Sequence, residues 1–296
     1  MKILLAGGTG LIGTRLAQML QEKGHVVHFL TRHPKGGNQF HWDPAQGQID
    51  EKALVGVEAI INLAGAGIAD KRWTAARKAL LVESRVQSAA LLLKTIGRMK
   101  QRPHTYVAAS AIGYYGNTGE RWCRETDQPA DNGFLSECCV QWENANRQAE
   151  ALGLRTAILR IGIVLSTKGG ALPELIKPLR FGVGTYFADG RAWYAWIHLD
   201  DMCRQLIWAV ESPHVHGVYN AVAPNPVRVK TLIAAAAKAM HRSVLPLPAP
   251  AFALRLLLGE MSAVVLNSNR VSNEKALKDG FVCQYRDIEG ALEDIL

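Results

Sequence analysis

The sequence contains no uninterrupted apolar run of the roughly 18 residues that a membrane-spanning helix needs, so no spanning segment is expected. Its first residues enter a strand-like stretch at once, without the layout of an export signal. The 5 cysteines (Cys123, Cys138, Cys139, Cys203 and Cys283) are odd in number and lack C-x-x-C spacing. Reduced thiols and a cytoplasmic location are the expectation. The 9 histidines are scattered, and His214 and His216 share a loop with no cysteine or carboxylate at ligand spacing, so no metal site is expected. The net charge is +8, with basic residues concentrated between Lys71 and Arg102. No aromatic-interleaved patch or nucleic-acid motif accompanies them. A solvated helix face fits that stretch, as does a basic surface attracting an anionic cofactor and substrate. Neither nucleic acid nor membrane is expected as a partner, and the sequence gives no oligomeric state. Internal repeats, low-complexity tracts and long linkers are also missing.

What is present begins with the first turn. Lys2 to Ala6 is a short buried strand by pattern, and Gly7-Gly8-Thr9-Gly10-Leu11-Ile12-Gly13 follows directly. A helical pattern then places Leu11, Leu16, Met19 and Leu20 on one face until Gly24 ends it. Strand, glycine turn and helix together open a dinucleotide-binding fold, here with G-x-x-G-x-x-G spacing. Gly7 permits the tight turn, Gly10 lets the backbone approach a pyrophosphate, and Gly13 lets helix and strand pack closely. The helix N-terminus offers free N–H groups and partial positive charge to the phosphates. An ordinary tight turn between strand and helix is the plainer alternative.

The end of the second strand, Val26 to Thr31, selects the cofactor. An NAD site places Asp or Glu there to hold the ribose 2′-hydroxyl. This chain has Thr31-Arg32-His33-Pro34-Lys35 and no carboxylate. Arg32 can stack on adenine and pair with a 2′-phosphate, which favours NADP(H); otherwise it is a surface arginine. Further along, Gln39 to Trp42 is an edge-strand candidate. Ala59 to Gly65 is a buried strand ending in small residues, and Lys71 to Met99 is a long helical stretch. Tyr106 to Ser110 is a strand ending in a hydroxyl, continued as a loop by Ala111 to Gly116. Phe134 to Leu152 is helical, and Leu154 to Leu165 is a strand. The regular alternation then breaks at Ser166, with glycines and prolines punctuating the chain. Asp200 is the expected cap of a helix through Val210, followed by a strand at Val218 to Val222 and a helix at Val229 to Met240. Helical patterns close the chain at Ala251 to Leu258 and Asp287 to Leu296.

The expected fold is α/β: a Rossmann-type doubly wound parallel sheet with a smaller, interwoven C-terminal α/β lobe. A dinucleotide-binding domain is expected over 1–165, completed by segments within 193–222, and a substrate or partner lobe over 166–296.

The glycine turn, Asn62-Leu63-Ala64-Gly65, Ser110 with Gly113-Tyr114-Tyr115-Gly116, and Trp196 to Asp201 occur in an order that resembles the extended short-chain dehydrogenases/reductases. More narrowly, the chain is similar to the atypical branch called epimerase family or nucleoside-diphosphate-sugar epimerase-like. The stretch from Leu254 through Asn269-Arg270-Val271 to Gly280-Phe281 resembles that branch's C-terminal module of unknown function. The resemblance implies that Gly7, Gly10, Leu11, Ile12 and Gly13 hold the pyrophosphate, Thr31 and Arg32 meet the adenosine end, and Ala64 and Gly65 flank the ribose. It also implies that Ser110 is the serine that hydrogen-bonds the reacting oxygen.

One part of that pattern is missing. The superfamily's acid/base is a Tyr with Lys at i+4, the lysine lowering the phenol's pKa. No lysine occurs between Lys100 and Lys168, and none of the 7 tyrosines has Lys at i+4. Replacement candidates are Tyr114 and Tyr115 beside Ser110, Glu137 on the helix that normally carries the dyad, and His198 or Tyr194 from the second lobe. Arg191, Trp193 and Trp196 are candidates to line a pocket. Each of these residues has an equally good structural role. The implied activity is NADP(H)-dependent oxidation, reduction or epimerisation of a small carbonyl, hydroxyl or sugar-nucleotide substrate. The alternative is a non-catalytic NADP(H)-binding regulatory or partner-binding protein.

Overall fold

A computed structural model describes residues 1–296. In β1 (Lys2–Ala6), alternate side chains serve two cores. Ile3 and Leu5 pack with Leu16 and Leu20 of α1 (Leu11–Glu22). Leu4 and Ala6 pack on the opposite face with Leu92 and Ile96. A strand covered on both faces can carry no polar side, which is why this segment is apolar from Ile3 to Ala6.

The chain continues through β2 (Val26–Thr31), β3 (Gln39–Asp43), β4 (Gln48–Ile49), β5 (Ala59–Asn62), α2 (Ala75–Gly97), β6 (Thr105–Ala111) and β7 (Trp122–Cys123). Next come α3 (Phe134–Ala151), β8 (Arg155–Ile161), β9 (Ile163–Leu165), α4 (Leu172–Ile176), β10 (Val183–Phe187), β11 (Trp193–Tyr194), β12 (Trp196–His198) and α5 (Leu199–Glu211). The remainder comprises β13 (Gly217–Ala221), β14 (Val227–Arg228), α6 (Val229–Ala239), β15 (Leu245–Ala249), α7 (Ala251–Leu258), α8 (Ala263–Leu266), β16 (Arg270–Val271), α9 (Glu274–Lys278) and α10 (Ile288–Ile295).

The central sheet has 8 strands in the order β13-β8-β6-β5-β1-β2-β3-β4. Every pairing in it is parallel except β3 with β4. It is the doubly wound parallel sheet that the alternating pattern predicts. The order reverses between β1 and β5, so the carboxyl ends of these two strands open the crevice where ligands of such sheets bind. Of the four two-stranded pairs, β9 with β12, β10 with β15 and β11 with β14 build around a separate core that includes Trp196, Leu232 and Leu292, while β7 with β16 packs with Tyr114 and Tyr115. The chain returns from that region to the sheet: β13 pairs with β8, and α5 contributes Met202 and Leu206 to the α1 side. No helix is long and apolar enough to cross a membrane.

Several boundaries differ from the sequence reading. The predicted strand Leu154 to Leu165 is two strands, broken at Gly162. A Cβ there would lie 2.5 Å from the Ala195 carbonyl oxygen and 2.8 Å from Val222, so the chain bends where only glycine fits. Gln39–Asp43 is followed by β4, which takes the sheet edge. The helix expected from Lys71 starts at Ala75, where Thr74 accepts from the Arg77 N–H. The expected cap Asp200 lies one residue inside α5; His198 is the cap, accepting from the Asp200 N–H at 3.0 Å, while the Asp200 carboxylate takes both donors of Arg15.

Candidate active site

The glycine turn sits at the carboxyl end of β1, beside the sheet's switch point. Gly7 has φ +82°, and a Cβ there would lie 2.8 Å from Leu63 backbone atoms at the end of β5. A Cβ on Gly13 would collide with the Gly7 carbonyl and with Gly8. The fold itself therefore requires both glycines. Gly10 differs: a Cβ there would meet only the Gly7 oxygen, at an ordinary 3.5 Å. No protein neighbour demands glycine at that point. Gly10 is also the N-cap of α1, with no side-chain hydrogen bond to the cap and no acidic residue in the first turn. The N–H groups around Leu11 and Ile12 thus face outward uncompensated, as an anion requires. These features fit a dinucleotide.

At the end of β2, Thr31 is half-buried and its hydroxyl accepts from the His33 N–H. Arg32 is exposed and no carboxylate follows it before Pro34. At the end of β5, the Ala64 N–H is held by Asn62 Oδ1 at 3.2 Å. Asn62 is itself locked in a buried network with Tyr106 and Asn146. The space a Gly65 side chain would fill is taken by Arg85, at 3.1–3.4 Å.

Ser110, Tyr114 and Tyr115 are brought together, but around a buried ion pair. Ser110 is 1% exposed and donates to Glu143 Oε1 at 2.8 Å. Arg160 of β8 grips both oxygens of Glu143 of α3, at 2.8 and 3.0 Å. It also donates to the Tyr115 hydroxyl at 3.1 Å and stacks on Tyr114, 3.4 Å from the ring centroid. Burial opposes the Arg160 charge, but bonding to Glu143 outweighs this and holds the guanidinium charged. Tyr115 donates to Asn220 Oδ1 at 2.6 Å; burial keeps its phenol protonated well above the usual tyrosine range, with Arg160 opposing. Ser110 therefore has its proton committed to Glu143 and its side chain enclosed. Ser110, Tyr114 and Tyr115 thus form one buried group beside Ala111, Ile112 and Gly113, which are a wall of the cleft described next.

The open site adjoins this wall. A cleft of about 310 Å³ lies between the carboxyl ends of β6 and β8, α3, β11 and α8, and 16 of its 22 lining residues are hydrophobic. Gly170 on its border lies beside Leu11 of the glycine turn. On α3, Leu135 and Cys139 face the cleft one turn apart, 3.4 and 3.6 Å from where a Gly113 Cβ would project. Neither a Tyr nor a Lys occurs anywhere on α3. Burial pushes the Cys139 thiol up to about 12, and burial also raises Cys138, with Arg85 opposing. Neither is a thiolate near neutrality.

The other candidates fall in different places. Tyr194 lines the cleft, but its hydroxyl donates to the Val265 carbonyl at 2.7 Å and burial raises its pKa. Trp193 lines the cleft with its indole N–H on Glu120. Trp196 is core, donating to the Asn225 carbonyl. Glu137 and Arg191 are exposed. His198 is buried against Tyr285, with ring centroids 3.8 Å apart. Reasoning from sequence missed Arg85, Asn267 and Asn269, which all line the cleft, and Glu143. A charged residue inside an apolar strand, as Arg160 is, signals a buried partner, but nothing in the sequence identifies Glu143 as that partner.

Residues 3–222 match the model of the NAD dependent epimerase/dehydratase family, and residues 249–295 match the Domain of unknown function (DUF1731). The chain is 36% identical to the epimerase family protein YfhF of Bacillus subtilis (strain 168) over 300 residues, covering 100% of this chain and 98% of that protein. It is also 36% identical over 261 residues to the epimerase family protein Mb2239 of Mycobacterium bovis, covering 88% and 85%. Among solved structures, the human epimerase family protein SDR39U1 (isoform2) with NADPH superposes with a TM-score of 0.89 at 30% identity, over 100% and 99% of the two chains. The nucleoside-diphosphate sugar epimerase from Corynebacterium glutamicum superposes with a TM-score of 0.82 at 29% identity, over 100% of this chain and 58% of that one.

Proposed function

Since the chain belongs to the NAD dependent epimerase/dehydratase family, we propose that it is an NADP(H)-dependent oxidoreductase acting on a small, mostly apolar carbonyl or hydroxyl compound. The observation that carries this reading is Gly10: a glycine at a helix cap, beside the switch point, that no protein neighbour requires. Gly7, Gly10 and Gly13 with the N–H groups of Leu11 and Ile12 hold the pyrophosphate. Thr31 and Arg32 take the adenosine end, where a guanidinium favours a 2′-phosphate. Ala64 and Gly65 border the ribose. The NADPH in the human relative's structure agrees with that choice.

NADP(H), when bound, supplies hydride transfer. The chain's own part is to bind, orient and exclude water. Ser110, Tyr114 and Tyr115 act through Glu143 and Arg160, fixing the ends of β6 and β8 that shape the cleft. None of the thiols or phenols lining the cleft is a base near neutral pH. Proton exchange falls to water, and turnover is slow compared with a Tyr–Lys enzyme.

Calorimetric titration is expected to show tighter binding of NADPH than of NADH. Arg32→Ala should remove the preference, at a cost of about 1.5–3 kcal/mol for NADPH. Equal affinities for both cofactors would reject the cofactor assignment. A carbonyl screen followed by NADPH absorbance and product stereochemistry tests the chemistry. A second reading, a non-catalytic NADP(H)-binding partner protein, is favoured by α7. None of its residues is buried, and Phe252, Leu256 and Leu257 are 72–80% exposed. Tight NADPH binding with silence across the screen would select it.

A further inference from the structure

Arg85 is a cation without an anion. It projects from α2 into the apolar cleft, with its guanidinium 4.8 Å from the Trp142 ring centroid and against Gly65. Nη1 donates to the Leu81 carbonyl of its own helix at 2.8 Å. Nε and Nη2 have no protein acceptor, and no carboxylate lies within ion-pairing distance. Arg160, by contrast, is matched oxygen for oxygen by Glu143. Burial disfavours the Arg85 charge and Arg77 adds to the lowering, with only Cys138 and Cys139 opposing it. A half-enclosed guanidinium over an indole, with Nε and Nη2 unpaired at the lining of an otherwise apolar cleft, is a preformed receptor for one anionic oxygen pair.

We infer that the cleft binds a small monocarboxylic acid, with its carboxylate on Arg85 and its apolar body against Leu135, Trp142 and Ile163. The inference rests on the oxidoreductase reading for the cleft and narrows its substrate class. Two observations weigh against a sugar nucleotide. A nucleoside diphosphate brings at least two negative charges and a polar sugar, and Arg85 is the only cationic side chain lining the cleft. The volume of about 310 Å³ is at the small end for ligand sites. Asn267 and Asn269 are the other polar side chains on the lining; Asn269 is committed to the Gly116 carbonyl, which leaves Asn267 for a second polar group of the ligand.

The test uses the full chain, with and without NADP⁺, titrated by calorimetry. Hexanoate and benzoate are the probes, with hexanamide and benzamide as matched neutral compounds and UDP-glucose as the sugar nucleotide. The expected result is carboxylate binding about tenfold or more tighter than the amides. Arg85→Gln should abolish that difference, and Arg85→Lys should keep part of it. Equal binding of acid and amide to the unaltered chain, no binding by either acid, or tighter binding of UDP-glucose would overturn the inference. The acid–amide comparison on the unaltered chain needs no variant, so poor folding of Arg85→Gln does not spoil it. Loss of NADPH binding in the unaltered chain would instead reject the cofactor reading.

Discussion

At the scale of single residues, Ser110 separates a catalytic from a supporting role. Its hydroxyl donates to a buried carboxylate that also carries Arg160. Ser110→Ala removes a hydrogen bond to a charged group and leaves one Glu143 lone pair unsatisfied, at a cost of about 1.5–3 kcal/mol. Thermal unfolding should show the loss, while NADPH and ligand affinities stay close to the parent's. A variant with unchanged stability but abolished turnover would return the hydroxyl to the chemistry. Single residues were unevenly legible. The glycines lie within one turn and Arg32 at the end of the next strand, so each geometry follows from a single local element. Ser110 and Glu143 are 33 residues apart and Arg160 lies a further 17 on. Only the folded sheet shows that the hydroxyl faces α3 and not the cleft.

At the scale of elements, strands and helices with a clean period matched their predicted bounds, as in β1, β2 and α7. The misses have local causes. Leu154 to Leu165 reads as one strand because apolar residues run up to Gly162 and resume directly after it, and the Ala195 carbonyl that excludes a larger residue there is remote in sequence. Gly162→Ala would push a methyl to 2.5 Å from that oxygen, against backbone that has no rotamer to yield. We expect destabilisation of about 1–3 kcal/mol, read as a lower Tm, together with weaker ligand binding because β9 and the cleft wall shift with it. An unchanged Tm would show that the bend has slack. On α3 the absence of a Tyr–Lys dyad was evident from sequence. That Leu135 and Cys139 face the cleft required the helix to be placed against Gly113.

At the scale of the whole molecule, the C-terminal segment is held to the Rossmann sheet through α5. Buried Asp201 accepts from the backbone N–H groups of Gln284 and Tyr285 and from Arg204. Next to it, His198 stacks on Tyr285, and its Nδ1 must be unprotonated to accept from the Asp200 N–H that caps α5. Its Nε2 is 3.3 Å from Asp294 of α10, outside hydrogen-bond geometry. Burial lowers the His198 pKa below its ordinary 6.5; Asp200, Asp294 and Asp201 pull it up, and Arg204 reinforces the lowering. Below about pH 6.5 the unfolded chain therefore binds a proton at this site that the folded chain resists. The resulting stability is full above that pH and is lost as pH falls from it toward the lowered folded value. Protonation of Nδ1 also removes the cap, so the α5 N-terminus and the Tyr285 stack should loosen together. His198→Asn keeps an acceptor at the cap and cannot titrate. Thermal unfolding from about pH 7.5 down to about pH 5 should show a shallower fall in Tm for the variant than for the parent. Hydrogen exchange should place the parent's extra opening at residues 198–202 and 283–295. Parallel Tm curves for the two proteins would rule out His198 as the group that makes this junction pH-sensitive.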